Sequence, residues 1–167
     1  DFDGYEYAAN NYYIYNNSSD NKFYWIAWDR NGSFGGGWWN MSVARKESIP
    51  VYYIPNPPPS PLVSPPPLHE RMLQDTDYTD EYLNTLCAYL QGDFRVNYLY
   101  DQIDALYNRI KPYVYADVNK LYSDQLFENN INFAVSIDSG KELPGLKPFI
   151  TARITNVANE IGCLVGI

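Results

Sequence analysis

The side chains best suited to chemistry sit in one short stretch, DFDGYEYAANNYYIYNNSSDNKFYWIAWDRNGSFGG, residues 1–36. Asp3 lies in a turn-like DFDGY context. Asn10 and Asn11 open a run of aromatic and β-branched residues, and Asp29 closes a second such run, with Gly32 and Gly35 soon after. A hairpin returns the chain to where it began, so Asn11 and Asp29 must be neighbours, and Asp3, just before the first strand, can join them. Two carboxylates and an amide at one end of a small sheet offer oxygen ligands of the kind Mg²⁺ or Ca²⁺ takes. Phosphoryl-transfer sites also order an aspartate, an asparagine, a hairpin and a second aspartate in this way. The alternative for each residue is structural: aspartate in a turn is ordinarily a solvated turn former, and asparagine at a strand start a cap.

The elements that must position these residues are legible around them. Residues 12–15 (YYIY) and 22–28 (KFYWIAW) read as strands, and the NNSSDN between them is strong turn chemistry. In the second strand Phe23, Trp25 and Ala27 share one face and Tyr24, Ile26 and Trp28 the other, so both faces are apolar and cover on both sides is expected. Residues 32–49 read as a Gly/Trp/Asn loop. Residues 50–67 hold nine of the twelve prolines and should run extended, as a surface lid or linker; docking of a proline-reading module is the less favoured reading.

From residue 68 the period becomes helical. Leu68 to Leu73 form a short helix behind Pro67. Residues 78–91 place Tyr82, Leu83, Leu86, Cys87 and Leu90 on one stripe, stopped by Gly92. Residues 97–118 place Leu99, Ile103, Leu106, Ile110 and Val114 on one face, with Pro112 kinking or splitting the helix. Ser123 caps a helix through Phe127. Pro148 opens a last helix whose Phe149, Ile150, Ile154, Val157 and Ile161 face inward, ended by Gly162. These stripes predict core. The fold class is α+β, mostly α: a hairpin followed by a helical bundle.

Composition removes several functions. A net charge of −8 and a pI of about 4.5 exclude the basic patches that nucleic acid demands. No apolar run is long enough for a transmembrane segment, and neither end reads as a signal peptide. One histidine, His69, and no CxxC pattern argue against a zinc site. Cys87 and Cys163 are either buried free thiols or a disulfide. Sequons at Asn16, Asn17, Asn31 and Asn40, with heavy use of tyrosine, favour a secreted glycoprotein.

Neither an HRD nor a DFG triplet occurs, yet the string DGYEYAANNYYIYNNSSDNKFYWIAWDRNGSFGG resembles the core signature of the CotH kinase family, the spore-coat protein H type. That signature reads Asp, a short aromatic stretch, Asn-Tyr-Tyr-Leu-Tyr, a turn, Lys/Arg-Phe, and then W-D-x-[DN]-x-x-[FW]-G. Later segments agree in order. PLHERML with YTDEYLNTLCAYLQGDF, then IDALYNRIKPYVYADVNKLYSDQLFENNIN, then PGLKPFITARITNVANEI resemble the family's successive helices.

The resemblance implies the C-terminal lobe of an atypical protein kinase. Residues 1–36 would be the catalytic loop, hairpin and metal-binding loop, 37–67 an activation-segment-like loop, and 68–167 the helical part. It implies transfer of the ATP γ-phosphate, with Mg²⁺ or Mn²⁺, to serine of secreted, coat or cell-surface proteins. Carried over by position, Asp3 matches the catalytic aspartate, Asn11 the metal-binding asparagine, Asp29 the metal-binding aspartate, and Asn31 a supporting position.

The chain starts at the catalytic aspartate, and no glycine-rich nucleotide loop or VAIK-like lysine precedes it. A fragment, cleavage product or partial chain is therefore expected, inactive alone and partnered by the missing N-terminal lobe or other half of the parent. The rival reading is a non-catalytic adhesin or structural coat protein using exposed Tyr5, Tyr7, Trp38, Trp39 and the proline loop. Carbohydrate stacking on Trp38 and Trp39 is a third idea, less favoured than their packing against the glycine loop.

Overall fold

The computed structural model describes residues 3–8, 10–36, 41–53, 67–137 and 141–166. Within these, helices dominate: α1 (Tyr5–Ala8), β1 (Tyr12–Asn17), β2 (Lys22–Ala27), a 3-10 turn (Arg30–Gly32), α2 (Val43–Glu47), α3 (Pro67–Met72), α4 (Thr76–Gln91), α5 (Val96–Ala116), α6 (Asp124–Asn129), β3 (Val135–Ile137), β4 (Lys141–Leu143) and α7 (Leu146–Ile161). The α+β, mostly α class is what the periodicity predicts. The chain forms two compact units, Asp1–Trp38 with Tyr52–Thr79, and Trp39–Val51 with Asp80–Ile167. Asn40, Trp38, Trp39 and most of the proline-rich stretch (54–66) lie outside the described residues, as does the side chain of Tyr7.

In the first unit β1 and β2 pair antiparallel, with Tyr12 opposite Ala27, Ile14 opposite Trp25 and Asn16 opposite Phe23. The turn closes on Asx chemistry: Asn17 Oδ1 accepts from the Ser19 amide and Asp20 Oδ1 from the Lys22 amide. Tyr5 fixes α1 against the base of this hairpin. Its ring meets Tyr12 and Trp25 edge-on at centroid distances of 4.9 and 4.7 Å, while Tyr12 and Trp25 stack on each other. The Tyr5 hydroxyl accepts from the Leu68 amide at the start of α3, satisfying one of that helix's orphan donors. Tyr5 is therefore core, at 8% exposure, and not part of an exposed aromatic face.

The expected two-sided cover of β2 is wrong. Every residue of β2 is exposed, with Phe23 at 74%. A two-stranded ribbon buries a face only where another element lies on it, and Tyr5 reaches only the base.

In the second unit the core gathers around α7. Ile150, Ile154, Val157 and Ala158 are buried with Val51, Leu90, Val96 and Cys163, and Leu83, Leu86, Leu99 and Ile103 pack around them. Gly162 ends α7 at φ 67°, a left-handed cap that glycine adopts without a Cβ clash. Cys87 and Cys163 form a disulfide with Cα atoms 5.6 Å apart, deciding between the two readings of the cysteines. It ties α4 to the segment after α7.

Other expectations need correction here. Residues 43–47 are helical, because the Ser42 hydroxyl accepts from the Arg45 amide and caps α2. Pro112 does not split α5, which is continuous from Val96 to Ala116. Leu106 and Ile110 are exposed, since α5 runs on past the part of it that meets the core. The β3–β4 hairpin had no sequence signal strong enough to be read.

The segment following α2 is pinned by polar bonds. Arg153 Nη1 donates to the Glu47 carbonyl at 3.0 Å and the Ile49 carbonyl at 2.5 Å, and Asn156 donates to Glu47. The Glu160 carboxylate accepts from the Val51 amide at 3.0 Å. Lys46, only 1% exposed, donates to the Glu142 carbonyl at 2.8 Å, and burial lowers the pKa of its ammonium.

Two measurements check this packing. Ile154→Ala is expected to cost about 3 kcal/mol in chemical denaturation, as a buried truncation that leaves a cavity. Replacing both cysteines by serine is expected to cost about 4 kcal/mol, the loop-closure value for a crosslink spanning 76 residues.

Candidate active site

The site is built where the chain enters and leaves the hairpin. Asn11 precedes β1 and is 4% exposed. Its Nδ2 donates to Asp3 twice, to the carboxylate Oδ2 at 2.8 Å and to the backbone carbonyl at 2.9 Å. Asn10 Nδ2 lies 3.4 Å from Asp3 Oδ1. With both donors on Asp3, the side-chain oxygen Oδ1 is the atom Asn11 retains for another ligand.

At the other strand the Trp28 amide donates to the Asn11 carbonyl at 3.1 Å, so Asp29 follows one residue beyond the last rung. The Asp29 carboxylate does not cap the 3-10 turn that begins at Arg30. No hydrogen bond or ion pair engages it among the described residues.

The backbone is unusual here. Asn11 and Asp29 both adopt left-handed conformations, at φ 56° and 48°, and so does Phe34 at 54°. Asparagine and aspartate tolerate this region better than other side chains, whereas for a bulky residue such as phenylalanine it is an outlier. Strain of this kind persists only when surrounding structure over-determines it, and it concentrates at functional sites.

The structure joins Asn11 to Asp3 directly, and it brings the backbone before Asp29 to Asn11 through the Trp28 amide. Asn31 sits exposed within the 3-10 turn. Of the sequons, Asn16 is exposed, Asn17 is half-buried with its side chain in the turn, and Asn40 lies outside the described residues.

A family model described as CotH kinase protein matches residues 1–157. The chain belongs to the CotH kinase family. No curated protein and no solved structure matches it. The match takes in the whole hairpin, both left-handed corners and the first three-quarters of α7.

The donor set of this member of the family suits a hard divalent cation. Asn11 Oδ1 and the Asp29 carboxylate are oxygen ligands of the type Mg²⁺ and Mn²⁺ prefer, and such ions complete their shell with phosphate oxygens and water. Among the described residues no group of three His, Cys, Asp or Glu is placed to hold a metal by itself, so phosphate would have to share the coordination. No helix among them is long and apolar enough to cross a membrane. A separate cavity of about 410 Å³, lined by Ile110, Val114, Leu126, Phe127, Val135 and Leu146 among others, is apolar and includes none of the candidate site residues.

Sequence reasoning missed Tyr5 as the residue that seats α1, and it missed the left-handed corners. An aromatic two residues after Asp3, in phase with the aromatic strands, was the available signal for the first.

The Asp3–Asn11 bonds and the left-handed corner are separable. Asn11→Ala is expected to cost about 2 kcal/mol, combining lost hydrogen bonds with a Cβ residue at positive φ. Asn11→Gly keeps the backbone conformation, so it is expected to be milder by about 1 kcal/mol. Equal losses in denaturant titrations would show that the conformation contributes nothing.

Proposed function

We propose that this chain is the catalytic-loop-bearing part of a secretory protein kinase that transfers the ATP γ-phosphate to serine hydroxyls of secreted or surface proteins. The observation that carries the reading is the Asn11 amide held on Asp3 by two bonds, one strand-rung from an uncommitted Asp29. Family membership supports the kinase-like chemistry, and the Cys87–Cys163 disulfide supports passage through an oxidising compartment.

Asp3 accepts the proton of the substrate hydroxyl and orients that oxygen toward the phosphorus. Its turn is held by Asn11 and Asn10, so the carboxylate is pre-positioned and not free to rotate with the loop. Asn11 Oδ1 and Asp29 would hold Mg²⁺ or Mn²⁺, with Asn31 supporting that loop. The ion, when bound with ATP, neutralises charge on the phosphates. The amide of Asn11 serves both partners, donating to the base with its nitrogen and offering the ion its oxygen.

Nucleotide-binding residues come from an N-terminal lobe, the partner of this chain. The face of the hairpin bearing Tyr13, Tyr15, Tyr24, Ile26 and Trp28 is apolar and exposed, which suits such a contact. The same exposed aromatics are what favours the second reading, a non-catalytic surface adhesin or coat protein.

The test uses the parent polypeptide with labelled ATP, Mn²⁺ and a serine-bearing peptide. Label is expected in the peptide, and Asp3→Ala and Asp29→Ala are each expected to lower the rate at least about 100-fold. Undiminished activity in either variant overturns the assignment. Failure of the unaltered parent to bind nucleotide in a metal-dependent way favours the adhesin reading.

A further inference from the structure

We propose that Asn16 carries an N-linked glycan whose first sugar ring packs on Phe23. The inference rests on the secretory reading above and selects one site among the sequons. Asn16-Asn17-Ser18 and Asn17-Ser18-Ser19 overlap, so sequence cannot choose between them. The fold can.

Asn17 is half-buried and its side-chain oxygen is bound to the Ser19 amide, closing the turn. Asn16 is exposed, and among the described residues no hydrogen bond engages its amide. A bulky group on Nδ2 is therefore accommodated more readily on exposed Asn16 than on Asn17, whose side chain is half-buried and held in the turn.

The register then supplies the sugar's seat. Asn16 lies directly opposite Phe23, so their Cβ atoms are about 5 Å apart on one face of the ribbon. That face is covered at its base by Tyr5 against Tyr12 and Trp25. Toward the turn it is bare, with Phe23 at 74% and Ile14 exposed. A pyranose presents a flat face of C–H bonds, the chemical complement of an aromatic ring face. Stacked there it removes apolar surface from water at a place where no described residue covers the hairpin.

The modification itself needs a polyprenyl-diphosphate oligosaccharide as donor. The Asn16 Nδ2 forms a bond to the anomeric carbon, the bond from that carbon to the phosphate oxygen breaks, one amide proton is lost and the polyprenyl diphosphate leaves. The other face of the hairpin, with Tyr13, Tyr24 and Trp28, stays clear for a protein partner.

The chain is expressed with a leader into a eukaryotic secretory pathway, and glycopeptides are mapped by mass spectrometry. Occupancy is expected at Asn16. Ser18→Ala, which destroys only that sequon, is expected to abolish it, whereas Ser19→Ala, which destroys only the Asn17 sequon, leaves it. Thermal melts read the packing: trimming the glycan to its first sugar is expected to retain a melting temperature above that of unglycosylated Ser18→Ala, and Phe23→Ala is expected to erase this difference. A glycan on Asn17 in place of Asn16, or a bare Asn16 beside an occupied Asn31, overturns the site. A difference unchanged in Phe23→Ala overturns the packing. Because entry to the pathway is imposed by the leader, neither outcome bears on where the parent protein resides.

Discussion

The bonds from Asn11 to Asp3 are the constraint on which the rest of the site depends. Asp3 lies in an exposed turn ahead of a four-residue helix, a setting in which a carboxylate would ordinarily move with its loop. A buried amide holding both its side chain and its backbone carbonyl fixes the turn relative to the strand. The same residue must then turn through positive φ to enter β1, and its carbonyl receives the Trp28 amide, which fixes where Asp29 follows. One asparagine thereby holds the Asp3 carboxylate and ties down the backbone that leads into Asp29. Aspartate in its place would put a second carboxylate against Asp3, and a residue without the amide would leave Asp3 unheld.

The second unit solves a different problem, that of holding a short segment after α2 in a defined path. Its apolar core is ordinary helix packing around α7, reinforced by the Cys87–Cys163 bond. The segment itself, residues 47–51, buries Val51 in that core and is otherwise held by its backbone. Arg153, Asn156 and Glu160, spaced along one side of α7, take up its backbone groups. Burial lowers the guanidinium pKa of Arg153, and the charge of Glu160 opposes that shift.

Much of this was legible because the signals were strong and local. The hairpin followed from aromatic runs around NNSSDN, and the helices from stripes such as Ile150, Ile154 and Val157. The approach of Asp3 and of the strand before Asp29 to Asn11 followed from topology alone. What was not legible depends on tertiary context. Alternation tells which side chains of β2 share a face but not whether anything lies on it, so it does not reveal that Phe23 is bare. Leu106 and Ile110 continue the α5 stripe past the point where the core ends. The capacity of Cys87 and Cys163 to pair depends on a Cα approach across 76 residues, which no spacing rule supplies. The left-handed corners were hidden for a related reason, since Asn and Asp permit positive φ without requiring it.

Paramagnetic broadening by Mn²⁺ with ATP tests the central claim on this chain most directly, because it reads position and not turnover. Amide signals of residues 10–12 and 28–30 are predicted to broaden first, the effect being lost in Asp29→Asn and retained in Asp3→Asn. Broadening that begins at other acidic positions, or that survives Asp29→Asn unchanged, would contradict the assignment of this corner as the metal-binding half of a kinase site.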